Sequence, residues 1–103
     1  MKIAFSTIAC PNFSFEEIIS TAADTGFGGI EIRGLGDDIF AYRAKPFSDQ
    51  HLPGTLEMLR RVKLSITCLS SGCCLKFLDK RAENMQEITE YILLAEKLGT
   101  PYV

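Results

Sequence analysis

The chain repeats one local pattern three times: a short apolar run, followed by a longer segment with the 3.6-residue periodicity of a helix. The predicted strands are residues 2–7, 29–34 and 64–69, and residues 100–103 have the character of a fourth strand. Strands that alternate with helices pair in parallel, because each helix carries the chain back to the start of the next strand. The sequence therefore predicts an α/β domain with parallel strands.

A parallel sheet needs cover on both faces, and its edge strands need neighbours. The common closed solution is the eight-unit TIM (β/α)8 barrel, which typically has about 250 residues. A chain of 103 residues makes one domain at most. We predict that residues 1–103 form a partial TIM barrel, namely the first three β/α units and the start of strand 4, as the opening portion of a larger enzyme.

Composition excludes several classes of partner. The formal net charge is -2, so no strong field for nucleic acid or anionic lipid is expected. No stretch approaches the roughly 20 apolar residues of a membrane helix, and the apolar run after Lys2 is too short for a signal peptide. The four cysteines have no zinc-site spacing and include the vicinal pair Cys73 and Cys74. We expect reduced thiols and a cytoplasmic protein.

Local signals mark the ends of the first and third helices. Ser14 and Glu17 have the spacing of a capping box, which starts the first helix. Gly26 fits the left-handed position just after the first helix, and Gly99 ends the third helix. Asp79 is the expected cap of the third helix, and its predicted sheet-facing residues are Met85, Ile88, Ile92 and Ala95.

The second helix has two possible beginnings. Ser48 is a plausible cap, but Pro53 would then fall in the second turn, where it removes a hydrogen bond. Alternatively the helix starts at Pro53, a favoured first position. In either case the predicted buried residues are Leu56, Leu59 and Val62.

Two charged residues of the second strand are candidates for substrate binding. Glu31 and Arg33 alternate with Ile30 and Ile32, which places both charges on the interior face of a barrel, near the active-site end. Glu31 could bind a substrate hydroxyl, or it could form a structural ion pair, for instance with Arg33. Arg33 could bind a phosphate or carboxylate, or it could be solvated or paired with an aspartate of the following loop.

Polar residues after the other strands are further candidates. Ser70 and Ser71 end the third strand and Thr7 ends the first, so their hydroxyls could contact substrate; a plain polar turn is the alternative for the serines. Cys73 is expected to fill space, and His51 is expected to face solvent. No metal site or catalytic triad can be drawn within this chain, and its catalytic residues stay unassigned.

Several segments resemble the sugar phosphate isomerase/epimerase family, whose members are xylose-isomerase-like barrels. The resemblance spans nearly the whole chain in the expected order. It is carried by four segments: residues 2–11 (KIAFSTIACP), residues 27–34 (FGGIEIRG), residues 81–84 (RAEN) and residues 95–103 (AEKLGTPYV). The sequence departs from the usual pattern of this family at Pro53 and Gly54 and at residues 72–74.

The resemblance implies a barrel enzyme that isomerises or epimerises a sugar, sugar phosphate or related polyol with a divalent metal ion (Mn, Mg, Zn or Co). Proteins of this family hold the metal with side chains of later strands, which this chain lacks. We therefore expect no metal ligands within the chain, and we expect the isolated chain to be weak or inactive as a catalyst.

Two other functions compete with this reading. Endonuclease IV-type barrels share the fold and act on DNA, but the negative net charge and the lack of a basic cluster disfavour nucleic acid as a partner. A partial barrel could instead be a non-catalytic module that self-associates. That hypothesis predicts a homo-oligomer through open sheet edges and an apolar interior face.

Overall fold

A computed structural model describes residues 2–103 and contains one three-stranded sheet with helices. The strands pair in parallel in the order β1-β2-β3, which confirms the predicted α/β class and sheet type. The elements in chain order are β1 (Ala4–Ser6), α1 (Phe15–Thr25), β2 (Gly29–Ile32), α2 (Leu52–Arg61), β3 (Ser65–Leu69) and α3 (Arg81–Leu98). No helix within residues 2–103 is both long and apolar enough to cross a membrane.

The first helix begins at the capping box that the sequence predicts. The backbone N–H of Glu17 donates to the Ser14 hydroxyl at 3.2 Å, and the Ser14 N–H donates to a Glu17 carboxylate oxygen at 2.7 Å. These reciprocal bonds satisfy two amide groups that have no partner inside the helix. Ile18, Ile19 and Ala22 then face the core.

All three helices end in the same backbone turn. A left-handed residue closes each helix: Gly26 with φ +78°, Lys63 with φ +55° and Gly99 with φ +67°. The next amide donates back to a helical carbonyl, from Phe27 to Ala22, from Leu64 to Leu59 and from Thr100 to Ala95, at 2.9, 3.0 and 2.9 Å. This is the Schellman motif, which prefers glycine; Lys63 is the exception.

The two faces of the sheet differ in chemistry. Ile30, Ile32, Ile66 and Leu69 are buried under the helices. The opposite face carries small or polar side chains, namely Ala4, Ser6, Gly29, Glu31, Ser65, Thr67 and Cys68. The expectation of an apolar interior face was therefore wrong, because the residues that alternate with the buried isoleucines are small or hydrogen-bonding.

The second helix starts close to the later of its two predicted positions. It begins at Leu52, and Pro53 lies in the first turn, where its missing N–H costs no helical bond. Leu59 is buried as predicted, but Leu56 and Val62 are exposed, and Thr55 is buried instead. The Thr55 hydroxyl donates to the Pro46 carbonyl at 2.6 Å, so a polar side chain fits that buried position.

The third helix turns a different face to the core than the sequence predicts. Tyr91, Leu94 and Ala95 are buried, whereas Met85 and Ile92 are about half exposed. Asp79 is not the cap of α3. Residues 78–80 form a 3-10 turn that leads directly into the helix, and Lys80 occupies the cap position. Two apolar rows run along this helix, and the sequence could not show which row meets the sheet.

Residues 100–103 do not form the fourth strand that the sequence predicts. A single backbone bond, from the Leu69 N–H to the Tyr102 carbonyl at 3.0 Å, joins this segment to β3. One bond places the segment beside β3 but makes no ladder.

Candidate functional site

The residue immediately after each strand lines one cavity at the carboxyl edge of the sheet. Thr7 follows β1, Arg33 follows β2 and Ser70 follows β3, and the cavity that they share measures about 250 Å³. Ligands of parallel α/β folds bind at this edge, because the loops that vary between proteins meet there. The structure thus brings together three of the five candidates, while Glu31 and Ser71 lie outside the lining.

The buried hydroxyl of Thr7 links the ends of the first two strands. It accepts the N–H of Arg33 at 2.8 Å and donates to the carbonyl of Gly34 at 3.0 Å. Thr7 is only 3% exposed, so few other groups can compete for these bonds. The sequence placed Thr7 at the edge but could not reveal this link, which depends on the spacing of two strands far apart in the chain.

The connection after β2 begins with a tight turn that lines the cavity. Leu35 and Asp38 exchange two backbone hydrogen bonds of 2.9 Å around Gly36, whose φ is +55°. Gly34 has φ +72°, and a Cβ on it would lie 3.0 Å from the Asp38 carbonyl oxygen. Only glycine combines that backbone angle with so close an approach. The backbone on the C-terminal side of Arg33 is therefore fixed.

Arg33 places an unpaired positive charge at the rim. Its side chain is exposed, and no carboxylate among residues 2–103 lies within 4.0 Å of it. The predicted alternatives, ion pairs with Glu31 or with Asp37 or Asp38, do not form in this part of the chain. The guanidinium is therefore free to donate its planar fork to an anion.

The serines after β3 have different surroundings. The Ser70 N–H donates to the Ile32 carbonyl at 2.8 Å, which holds the residue beside the end of β2. Ser70 and Ser71 are both half-buried. The next amide, of Gly72, donates to a Glu87 carboxylate oxygen at 3.3 Å, so α3 also fixes this loop.

Glu31 lies on the polar face of the sheet and is not among the residues that line the cavity. Its register partners are Ser6 on β1 and Cys68 on β3. Burial, and secondarily the Glu31 charge, raise the pKa of the Cys68 thiol. The Cys68 partnership results from a bulge in β3, where Thr67 has no partner and its hydroxyl donates to the Ile30 carbonyl at 3.2 Å. Sequence periodicity carried no signal of this bulge.

Residues 2–103 contain no group of three or more His, Cys, Asp and Glu side chains that could hold a metal ion. The residues present therefore do not fit the divalent metal that the resemblance implies. His51 is half-buried rather than solvent-facing, with its Nδ1 2.9 Å from the Ser48 hydroxyl. Burial raises the pKa of the Cys10 thiol in the cavity, so this thiol is neutral near pH 7.

Comparison with known proteins found structural likeness only. No family model and no curated protein matches the chain. The probable 3-DHS dehydratase AsbF of Bacillus anthracis, involved in petrobactin synthesis, matches 97% of the chain with 23% identity and a TM-score of 0.70. A xylose isomerase-like TIM barrel/4-hydroxyphenylpyruvate dioxygenase fusion protein also matches 97% of the chain, with 21% identity and a TM-score of 0.64.

These likenesses establish the fold. The chain has the fold of part of a xylose isomerase-like TIM barrel, as the sequence predicts. It spans 36% of the AsbF chain and 15% of the fusion protein.

Proposed function

We propose that the chain contributes the first three β/α units of an enzyme that isomerises or epimerises a sugar or related polyol at the carboxyl edge of its barrel. The observation that carries this proposal is the shared cavity, which Thr7, Arg33 and Ser70 line from the ends of three successive strands. A substrate with several hydroxyls suits this edge, because hydroxyl, amide and guanidinium groups converge there.

The proposed reaction moves a proton between adjacent carbon atoms beside a carbonyl. Within this chain we assign binding roles only. Ser70 would hydrogen-bond a substrate hydroxyl at the rim, and the Glu31 carboxylate would accept a hydrogen bond from another substrate hydroxyl on the polar face of the sheet. The hydroxyl of Thr7 already donates and accepts, so its role is to hold the backbone.

Metal dependence belongs to the proposal for a longer protein, in which ligands would come from outside residues 2–103. The isolated chain should accordingly bind polyols without converting them. Assays of aldose–ketose interconversion and of epimerisation, with Mn, Mg, Zn or Co added, test this expectation. Clear turnover by the 103-residue chain would show that it holds a complete active site.

The binding site is tested by titrating an isotope-labelled chain with a panel of aldoses, ketoses and alditols. Amide shifts should centre on residues 33–36 and 70–72, and Ser70→Ala should weaken binding. Ser65→Ala is the matched control, because Ser65 is an exposed serine at the opposite edge of β3. Equal weakening by both variants, or shifts centred on Ser65, would contradict the proposed site.

The exposed row on α3 supports a second candidate, a self-associating module. Met85, Ile92 and Leu93 are 54%, 55% and 47% exposed, and contiguous apolar surface favours association. Light scattering behind size exclusion should then show a dimer or larger closed species that Ile92→Glu dissociates and that Ser20→Glu, at an exposed position of α1, leaves intact. A monomer at every concentration would exclude this candidate.

A further inference from the structure

We propose that the cavity at the carboxyl edge takes an anionic polyol, a sugar acid or sugar phosphate, with Arg33 as the anion-binding residue and Thr7 as the residue that positions it. The polyol part rests on the proposed function, whereas the anion site stands on the contacts of Arg33 and Thr7 themselves.

The first support is the charge balance of the cavity. Arg33 carries the only positive charge among its lining residues, and no carboxylate in residues 2–103 neutralises it at salt-bridge distance. Only Arg60, Arg61 and Lys97 form salt bridges in this range, so Arg33 is distinguished by its place in the cavity lining. Asp38 also lines the cavity, so a bound anion should sit nearer to Arg33 than to Asp38.

The second support is that the backbone of Arg33 is held on both sides. The Thr7 hydroxyl accepts the N–H of Arg33 and donates to the carbonyl of Gly34. Gly34 adds a left-handed turn that no other residue would adopt there without strain. These contacts fix the direction in which the Arg33 side chain leaves the backbone. A site held in this way loses less conformational entropy when a ligand binds.

The third support is the chemistry of the remaining rim. Ser70 supplies a hydroxyl, and the hydrophobic residues Ile8, Pro11 and Leu35 form the walls. A guanidinium binds carboxylate and phosphate through two parallel N–H donors, and weakly hydrated walls strengthen that contact. A neutral sugar would leave the guanidinium unused. A polyol that ends in an anion engages both the guanidinium and the hydroxyl.

The test is a nuclear magnetic resonance titration of the labelled chain with four probes: gluconate, glucose 6-phosphate, the neutral alditol sorbitol, and inorganic phosphate as an anion without a polyol. Gluconate and glucose 6-phosphate should both shift the Arg33 Nε–H signal and bind at least about tenfold more tightly than sorbitol. The tighter anion identifies the source of the charge, carboxylate or phosphate. Arg33→Gln should weaken anion binding about tenfold or more without changing the unfolding midpoint.

Arg43→Gln is the matched control. Arg43 is also exposed, but it stacks 5.0 Å from the Phe40 ring centre and lies outside the cavity lining. Its loss should leave anion affinity unchanged. Equal weakening by Arg33→Gln and Arg43→Gln would show that the anions respond only to net charge, and this would overturn the proposal.

Thr7→Ser and Thr7→Val test the positioning role. Serine keeps the hydroxyl and should keep the affinity, whereas valine should weaken anion binding several-fold in protein that is still folded. The Arg33→Gln/Thr7→Val double variant should bind anions no more weakly than Arg33→Gln alone, because Thr7 acts through Arg33. Full affinity in Thr7→Val would overturn the positioning role.

The outcomes separate this inference from the proposed function. Anion shifts at Arg33 combined with sorbitol shifts at Ser70 support both. Sorbitol binding as tight as gluconate binding, unaffected by Arg33→Gln, overturns the anion site and leaves the polyol site standing. Inorganic phosphate shifts at Arg33 without any polyol binding would support the anion site and contradict the proposed function. No shift at Arg33 with any anion overturns the inference.

Discussion

The connections between strands and helices differ between the two edges of the sheet. At the amino edge, α1 and α2 return to the sheet through identical Schellman turns, and α3 ends in the same turn. At the carboxyl edge, the three connections differ in length and structure, with residues 7–14 after β1, 33–51 after β2 and 70–80 after β3. The repeated edge is built from backbone bonds, whereas the varied edge presents side chains.

This difference separates stability from binding. Each edge has a cavity of similar size and each carries positive charge, with Lys2 and Lys63 at the amino edge. Within residues 2–103, a buried hydroxyl fixes the backbone of the charged residue only at the carboxyl edge. We therefore expect changes at the amino edge to alter folding alone. Changes of Arg33 or Ser70 at the carboxyl rim should alter binding more than folding.

The largest expected effect lies at the amino edge, where Gly29 begins β2. A Cβ there would lie 2.5 Å from the Thr67 methyl carbon and 3.3 Å from the Ala4 Cβ. Gly29→Ala should therefore lower the free energy of unfolding by about 3 kcal/mol, as overpacked sites do. Urea unfolding followed by circular dichroism measures it.

Thr67→Ser provides the control for that clash. It removes the methyl carbon and keeps the hydroxyl that donates to the Ile30 carbonyl. The cost of Gly29→Ala should shrink markedly in the Thr67→Ser background. An undiminished cost would place the strain elsewhere, at Ala4 or in the backbone.

A smaller effect on stability is expected at the carboxyl edge from Thr7→Val. Valine keeps the shape but leaves the Arg33 N–H and the Gly34 carbonyl without their partner. The free energy of unfolding should fall by about 2 kcal/mol. Thr7→Ser should restore most of it in the same urea experiment. If serine is as destabilising as valine, the methyl group and not the hydroxyl holds the edge together.

A stabilising change is available at the one turn without glycine. Lys63 has φ +55°, where a side chain crowds the following carbonyl. Lys63→Gly should raise the free energy of unfolding by about 0.5–1 kcal/mol and leave the binding of anions unchanged. Gly26→Ala should have the opposite sign, since Gly26 occupies the same position after α1 with φ +78°. Loss of stability in Lys63→Gly would mean that the lysine side chain contributes more than its backbone angle costs.

The same contrast explains what the sequence could predict. Local signals sufficed where a structure depends on neighbours in the chain, as at the capping box of Ser14 and Glu17 and at the glycines that end α1 and α3. They failed where distant packing decides, as for the buried face of α3, whose two apolar rows have the same spacing. Lys63 was missed because its left-handed turn is imposed by the helix end and not by a glycine.

The candidate site also has features that the sequence could predict and features that it could not. Strand periodicity placed Thr7, Arg33 and Ser70 at one edge, because parallel strands share their direction. It could not show that the Thr7 hydroxyl bonds to both sides of the Arg33–Gly34 link, or that the Thr67 bulge brings Cys68 opposite Glu31. These features depend on the register between strands, which a one-residue shift would change.

The smallest expected effect tests an ion pair outside both cavities. The Lys97 Nζ lies 2.7 Å from an Asp49 carboxylate oxygen and joins the end of α3 to the connection after β2. The hydrogen bond from Lys97, followed by its charge, lowers the pKa of Asp49, and the reverse contact raises the pKa of Lys97. The contribution of Asp49 to the free energy of unfolding is fully present above the ordinary aspartate pKa of about 3.9, and it is lost as the pH falls through the lowered pKa.

The pH dependence is opposite for Lys97. Its contribution to the free energy of unfolding is fully present below the ordinary lysine pKa of about 10.4, and it is lost as the pH rises through the raised pKa. Both groups face water, so the effect on unfolding should be close to zero at moderate salt. The lowered pKa of Asp49, followed by carboxyl carbon shifts, should return to its ordinary value in Lys97→Met. An unchanged Asp49 titration in that variant would mean that the ion pair does not persist in solution. The contrast between the two edges would then rest on backbone turns and the Thr7 link alone.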